Sequence, residues 1–253
     1  MNKKNLIALV IQARNSSTRL PYKIMKDLCG KKLLERIIER VKKVKKIDKI
    51  IIATTKRKED DIIVALAKKN NVEFFRGSTN NLIDRYYKSV KGRNFKHILR
   101  LPSDNPIPDP AEFERLIKYH LKSKNDFSSN ICNFLNNGYP DGIGVEIYSF
   151  KTIEKMWKLE KKIKNKEHMT LCVYDYNKKK KNQKFNFKIG TIKCPLKKSY
   201  PKLTLDVNYA NDYIFIKKIY ENLIVKKKFF NTPEIIKWLN SFKIHNKIIF
   251  ELK

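Results

Sequence analysis

The chain has 253 residues, and 57 Lys and Arg against 25 Asp and Glu leave a formal net charge of +32. That length suits one larger domain or two small ones with a core that buries most of the surface. With 42% apolar and 11% aromatic residues a disordered chain is excluded. No apolar run approaches the roughly 18 residues that a membrane-spanning helix needs, so an integral membrane protein is not expected.

In chain order, the opening Met1-Asn2-Lys3-Lys4 imitates a signal peptide, but its apolar stretch is short and leads into Gln12 and Arg14 with no small-residue cleavage site. Leu6–Gln12 therefore predicts a first strand, apolar throughout as burial on both faces requires. Lys31–Val44 carries a helical stripe of Leu33, Leu34, Ile37, Ile38, Val41 and Val44 with basic residues opposite. Lys49–Ala53, Val72–Phe75 and His97–Leu101 predict further strands. Between and after them, Asp60–Lys69, Asn80–Val90 and Ala111–Leu121 predict helices, the last behind Asp109-Pro110. Such alternation implies a parallel sheet with helices on both faces. The second half is less regular. Asp126–Ile131 and Val145–Phe150 read as strands, Thr152–Lys161 and Glu167–Tyr176 as helices. Phe185–Lys193 alternates weakly, Leu203–Val207 is short and apolar, and Tyr209–Leu223 and Pro233–Phe242 close the chain as helices. With no Gly/Ser/Pro linker and no internal repeat, one mixed α/β domain spanning 1–253 is expected.

The charge invites a nucleic-acid reading. Ten of the 57 basic residues are Arg, all between Arg14 and Arg115, while 47 Lys are spread along the chain beside 24 Asn and many Ile, Phe and Tyr. That mixture matches the drift of an AT-rich genome, and blocks such as Lys178–Lys181 read as solvated surface. A positioned anion site belongs in the Arg-bearing half, because Arg suits bidentate phosphate contact. The four cysteines stand far apart without a Cys-x-x-Cys pair, and the four histidines form no metal motif. A reduced, cytoplasmic protein is the expectation.

In an open α/β sheet, ligands bind beyond the carboxyl ends of the strands. The loop after the first strand, Gln12-Ala13-Arg14-Asn15-Ser16-Ser17-Thr18-Arg19-Leu20-Pro21-Tyr22-Lys23, has no Gly, which excludes both the Gly-x-Gly-x-x-Gly fingerprint and the Walker phosphate loop. It packs Arg14, Arg19 and Lys23 with three hydroxyl residues into ten positions, a cradle for a polyphosphate or a solvated basic loop. The fourth strand ends in Arg100-Leu101-Pro102-Ser103-Asp104-Asn105-Pro106, where Asp104 can ligate Mg²⁺ or simply cap a turn. Asp206, closing Lys202-Leu203-Thr204-Leu205-Asp206, can do the same or cap the next helix.

Gln12-Ala13-Arg14-x-Ser16-Ser17-Thr18-Arg19-Leu20-Pro21-x-Lys23 resembles the opening signature of the cytidylyltransferases that activate acidic sugars, the CMP-Kdo and CMP-sialic acid synthetases and a branch named for spore-coat polysaccharide biosynthesis. Further stretches resemble that last branch: Ile51-Ile52-Ala53-Thr54-Thr55, Phe75-Arg76-Gly77-Ser78, Asp84-Arg85-Tyr86-Tyr87, Arg100-x-x-Ser103-Asp104-x-Pro106, Tyr139-Pro140-Asp141-Gly142-x-x-Val145-Glu146, Lys166-Glu167-His168-Met169-Thr170 and Leu203-Thr204-Leu205-Asp206. The resemblance implies a nucleotide-diphospho-sugar-transferase-like fold, Rossmann-like in three layers, with 1–125 as nucleotide-binding half and 126–253 as acceptor-binding and candidate dimerisation half.

It implies that Arg14, Arg19 and Lys23 hold the phosphates of CTP, with Ala13, Ser17, Arg85 and Ser103 beside the nucleotide, and that Asp104 and Asp206 hold Mg²⁺. Arg14, Lys23 and Asp104 would then be the catalytic set. Arg100, Tyr139, Asp141, Glu146, Glu167 and His168 would meet the acceptor, an acidic sugar or phosphorylated compound, although His168 can equally be a helix residue satisfied by Glu167. The implied activity is transfer of CMP with release of pyrophosphate, in a homodimer that uses neither membrane nor specific nucleic acid. The chain departs from the pattern where Ser16, Tyr22 and Ser103 stand in place of Gly. Two other readings compete: a basic nucleic-acid-binding protein, for which no recognition motif appears, and a sugar-nucleotide-consuming glycosyltransferase, whose usual Asp-x-Asp triplet is absent. A relative that binds nucleotide without catalysis is a third.

Overall fold

The computed structural model describes residues 6–132, 134–159, 166–175, 179–183, 185–225 and 227–241. The alternation seen in the sequence becomes β1 (Ile7–Gln12), α1 (Leu33–Val41), β2 (Lys49–Thr55), α2 (Asp61–Lys69), β3 (Glu73–Gly77), α3 (Leu82–Val90), β4 (His97–Pro102) and α4 (Pro110–Ser123). These are followed by β5 (Phe127–Ser129), β6 (Glu146–Ser149), α5 (Phe150–Lys158), β7 (Tyr174–Asp175), β8 (Lys180–Lys181), β9 (Ile189–Gly190), α6 (Ala210–Ile224) and α7 (Thr232–Ser241).

The main sheet has seven strands in the order β3-β2-β1-β4-β6-β5-β9. The pairs among β3, β2, β1 and β4 are parallel, β6 runs antiparallel to both β4 and β5, and β9 lies parallel to β5. Both halves of the chain thus feed one mixed, mostly parallel sheet. Because side chains alternate along a strand, Ile7, Leu9 and Ile11 enter one core with α1, α2, α4, α6 and α7. Ala8 and Val10 enter a second core with α3 and α5. The result is a three-layer α/β architecture, and the carboxyl ends of β1 and β4 lie side by side, with Gln12 paired to Pro102.

The chain around 167–176 differs from the expected helix. Met169–Cys172 is a single 3-10 turn, and Tyr174–Asp175 pairs antiparallel with Lys180–Lys181. The apolar spacing there serves a turn and a hairpin, because Thr170 is drawn into a buried polar network and the Lys166 carbonyl accepts from the Leu82 N–H. Residue 176 and the predicted ends at 160–161 and 242 lie outside the described residues. Leu203–Val207 forms no ladder; it makes one parallel bridge, Asp141 to Thr204. Asp141 N–H donates to Leu203 O at 2.9 Å and Leu205 N–H to Asp141 O at 3.1 Å.

That bridge depends on Gly142, whose φ is +85° and where an added Cβ would lie 2.5 Å from the Leu205 carbonyl carbon and 2.7 Å from the Asp206 nitrogen. Backbone meets backbone there, so nothing flexible can yield. At the far edge of β4, His97 Nδ1 and His120 Nε2 lie 3.1 Å apart and His120 Nδ1 sits 3.0 Å from Ser128 Oγ. Burial, then the neighbouring His97, depresses His120 from the ordinary 6.5 to about 3. His97 is lowered by burial as well.

Two outcomes follow. Gly142→Ala is expected to cost about 2 kcal/mol or more in denaturant unfolding, from the forced left-handed φ together with the clash; a loss below about 0.5 kcal/mol would contradict the close approach. For the histidines, a base whose folded pKa is depressed binds fewer protons folded than unfolded. The stability tied to that difference is therefore complete above about 6.5 and drains as pH falls from there towards 3. Guanidinium unfolding should show His120 alone giving up on the order of 2 kcal/mol between pH 7.5 and 5, a dependence that shrinks in His120→Gln. Parallel pH curves for the two proteins would exclude it.

Candidate functional site

The loop between β1 and the 3-10 turn Lys23–Met25 is tied down at its base. Asn15 N–H donates to Asp60 Oδ1 at 2.8 Å, and Asn15 Nδ2 donates to the Glu59 carbonyl at 2.6 Å. Asp60, fully buried, also accepts from the Thr55 hydroxyl at the end of β2. The Asn15 carbonyl accepts from the N–H groups of Ser17 and Tyr22, so the loop folds back over its own root. Tyr22 adopts φ 53°, ψ 23°, in the left-handed region, with its ring half exposed. Of the three positions where the resemblance calls for Gly, Tyr22 therefore has a backbone that Gly would suit; Ser16 and Ser103 are not among the residues with positive φ.

Over this loop and the ends of β1 and β4 opens a cavity of about 590 Å³. Its lining includes Ala13, Arg14, Ser17, Arg19 and Lys23 from the loop, Arg85 from α3, Arg100, Ser103 and Asp104 from β4 and the following turn, and Glu167 and His168 on the rim. Eleven of the nucleotide, acceptor and metal candidates named from the sequence thus share one cavity with Gln12, to which the sequence pattern gave no role.

The cations are held in different ways. Lys23 is buried, its ammonium 2.6 Å from the Val207 carbonyl and 3.5 Å from Asp104 Oδ2. Arg14 lies 3.6 Å from Glu167 across an exposed rim. Arg85 donates from Nη1 to the Ser78 carbonyl at 2.9 Å, while its Nε is buried without a hydrogen-bond partner among the described residues. Burial is the main force lowering its pKa, and the charge of Arg14 adds to it. Positive charge pressed together with so little compensation suits a site whose occupant brings negative charge.

Arg100 is different. It is bridged to the buried Glu146 at 2.7 Å, and Nε donates to Gln12 Oε1 at 3.0 Å. Glu146, reinforced by the hydroxyls of Thr170 and Tyr148, holds the guanidinium well above its ordinary pKa despite the burial that opposes it. Because an Arg Nε can only donate, Gln12 must turn its oxygen towards Arg100. Tyr86 O–H is also within 3.2 Å of that oxygen, so the Gln12 amide nitrogen is directed away from this network.

Two acceptor candidates lie behind the cavity and outside its lining. Tyr139 is fully buried, its hydroxyl shared between Glu112 and Arg115, in a charged cluster with Lys198 and Asp109. Glu146 is 1% exposed and spends its oxygens on Arg100, Thr170 and Tyr148. Their pattern in the sequence could not separate a ligand contact from a buried partner, since Tyr139 between Gly138 and Pro140, and Glu146 between Val145 and Ile147, read the same in both.

Asp104, Asp141 and Asp206 come together where the C-terminal half crosses the ends of the strands. Val207 N–H donates to the Asp104 carbonyl at 2.7 Å, and Asp141 is bridged to the same segment. Asp206 Oδ1 is buried with no hydrogen-bond partner among the described residues, while Oδ2 accepts from Asn208. Burial first, then the charges of Asp141 and Asp104, push the Asp206 carboxyl up to about 7. An orphaned carboxylate oxygen among like charges fits a divalent cation. No closed cluster of three metal-ligating side chains occurs among the described residues; Mg²⁺ does not need one, since it takes one or two carboxylates and fills the rest with water and phosphate oxygens.

Residues 8–228 match the family model described as Cytidylyltransferase. An uncharacterized protein of Methanocaldococcus jannaschii is 35% identical over 199 residues, 78% of this chain and 76% of that one. The spore coat polysaccharide biosynthesis protein SpsF of Bacillus subtilis is 28% identical over 86% of this chain and 87% of its own length. Among solved structures, a cytidylyltransferase from Leptospira borgpetersenii superposes with a TM-score of 0.78 at 25% identity, covering 94% of both chains. CMP:2-keto-3-deoxy-manno-octonic acid synthetase complexed with CTP superposes at 0.60 over 86% of this chain and 99% of that one, a likeness of fold at 14% identity. With its family pattern spanning nearly the whole sequence and its cation-lined cavity at the strand ends, the chain belongs to the cytidylyltransferase family of CTP-dependent nucleotidyltransferases.

Proposed function

We propose that this protein transfers CMP from CTP to an acidic sugar or phosphorylated acceptor and releases pyrophosphate, as a step in making precursors of a surface polysaccharide or glycan. The observation that carries the reading is the arrangement of one cavity: Arg14, Arg19 and Lys23 on its loop side and Asp104, with Asp206 beside it, at the crossing of the two halves. Similarity to SpsF and, over half the chain, to 3-deoxy-manno-octulosonate cytidylyltransferases of Francisella tularensis supports the acceptor class.

In this reading the triphosphate lies along the loop, its charge met by Arg14, Arg19 and Lys23, with Ser17 and Ser103 offering hydroxyl donors. Ala13 and Arg85 bound the nucleoside. An acceptor oxygen attacks the α-phosphorus in line; the bond to the bridging oxygen breaks, and pyrophosphate carries the electron pair away. Positioning and charge neutralisation supply most of the rate in such transfers, which accounts for a site without a Ser-His-Asp set. Asp104 and Asp206 would hold Mg²⁺, which when bound neutralises charge on the phosphate oxygens. Glu167 and His168 on the rim, with Arg100 at the floor, would meet the acceptor in this reading, which their place in the cavity lining supports; Asp141 would act through Asp206. A homodimer working in the cytoplasm completes the proposal. The described residues include no helix long and apolar enough to cross a membrane.

Pyrophosphate release should be measured with CTP, UTP, ATP and GTP across a panel of acidic sugars and sugar phosphates in the presence of Mg²⁺. Release with CTP and one acceptor class is expected; none with any CTP pairing would overturn the transferase reading. Asp104→Asn should lower kcat on the order of 100-fold or more while the melting temperature stays within a few degrees of wild type. Near-normal turnover would remove Asp104 from the metal-binding pair.

A further inference from the structure

Arg19 differs from the other cations of the loop. Lys23 is buried against Val207 and Asp104, and Arg14 reaches Glu167, whereas Arg19 is exposed and forms no ion pair with a carboxylate among the described residues. The contact that orients it is aromatic: its guanidinium carbon stands 5.3 Å from the ring centroid of Tyr209. Tyr209 is itself unusual, a large ring 56% exposed to solvent. Burial does not explain an aromatic residue there.

The ring sits on a fixed support. Tyr209 opens α6, and its N–H and that of Asn208 both donate to Asp212 Oδ2, at 2.8 and 2.9 Å, which closes the first turn of the helix. Two residues earlier, Val207 is bonded to both Asp104 and Lys23. One turn further along the same face, Tyr213 repeats the arrangement: Lys26 lies 5.6 Å from its ring centroid, and its hydroxyl donates to the Asp27 carbonyl. Two tyrosines spaced i, i+4 on a rigid helix thus clasp one segment of the loop. A guanidinium on an exposed loop otherwise samples many rotamers, all of which it must surrender on meeting a phosphate.

We propose that Tyr209 is a positioning residue for CTP: its ring holds the Arg19 guanidinium over the cavity mouth, so that Arg19 meets the triphosphate already oriented. Tyr209 is outside the cavity lining and acts through Arg19. The inference rests on the assignment of Arg19 to the triphosphate, and it makes the second half of the chain a contributor to nucleotide affinity.

The test is a double-mutant cycle read by calorimetric titration of CTP with Mg²⁺. Arg19→Ala is expected to weaken binding about tenfold, and Tyr209→Ala about three- to fivefold, the size of an exposed cation–π contact. The double variant should bind no more weakly than Arg19→Ala alone. Tyr209→Phe, which keeps the π face, should bind like wild type, while Tyr209→Leu, which keeps apolar bulk without it, should match Tyr209→Ala. Unchanged binding in Tyr209→Ala and Tyr209→Leu overturns the proposal, as do losses that add in the double variant or a Tyr209→Phe as weak as the Ala variant. If Arg19→Ala itself binds as wild type, the assignment of Arg19 to the triphosphate fails and the proposal with it. If Arg19→Ala weakens binding and Tyr209→Ala does not, that assignment stands and the role of Tyr209 alone is excluded.

Discussion

The site turns on one peptide group pair at Val207. Its N–H donates to the Asp104 carbonyl and its carbonyl accepts from the Lys23 ammonium, so a single residue of the second half is bonded to both sides of the cavity formed by the first. Asp206 precedes it, and the start of α6 follows. With this link in place, the Asp104 carboxylate and the basic loop line one cavity, and Asp206 lies next to it, close enough for the Asp104 charge to act on its carboxyl. The link depends in turn on Gly142, since the bridge from Asp141 to Thr204 brings segment 203–207 to a distance that no Cβ tolerates.

This arrangement leaves part of its charge uncompensated, beside the pairs of Lys23 with Asp104 and Arg14 with Glu167. Arg100 at the cavity floor is neutralised by Glu146 behind it, and away from the cavity Lys198 pairs with Asp109 and Glu112. In the cavity, by contrast, the Arg85 guanidinium has only a backbone carbonyl as hydrogen-bond acceptor among the described residues, and beside the cavity burial and then the neighbouring carboxylates raise the pKa of Asp206. A buried charge without a partner is costly, and it persists where a ligand restores the balance. A triphosphate for the cations and a divalent cation for the acids would restore it together. The +32 of the whole chain is mostly dispersed Lys and has little part in this; three residues of one loop carry the local meaning.

Much of the first half was legible in the sequence because its strands are buried on both faces and its helices carry clear apolar stripes. Leu6–Gln12 and Lys31–Val44 correspond to β1 and α1 within a few residues at the ends. The second half resisted for a physical reason. Its strands β5 and β9 are three and two residues long, too short for any period to show, and 167–176 keeps helical spacing while Thr170 is pulled into the Arg100–Glu146 network. In the site, residue types and order pointed to the loop and to Asp104 and Asp206. They could not show that Tyr139 and Glu146 are consumed by internal partners, that Asp60 anchors the loop through Asn15, or that Gln12 turns its oxygen to Arg100. Those facts come from three-dimensional pairing between residues 27 to 88 positions apart.

In the proposed function, loop cations and paired carboxylates form one site for nucleotide and metal. A crystal structure of the complex with CTP and Mn²⁺ in place of Mg²⁺ tests it most directly, since Mn²⁺ reveals itself by anomalous scattering. The anomalous peak is expected at Asp104 and Asp206, with the triphosphate in contact with Arg14, Arg19 and Lys23. A triphosphate bound elsewhere, or a metal peak away from both carboxylates, would contradict it.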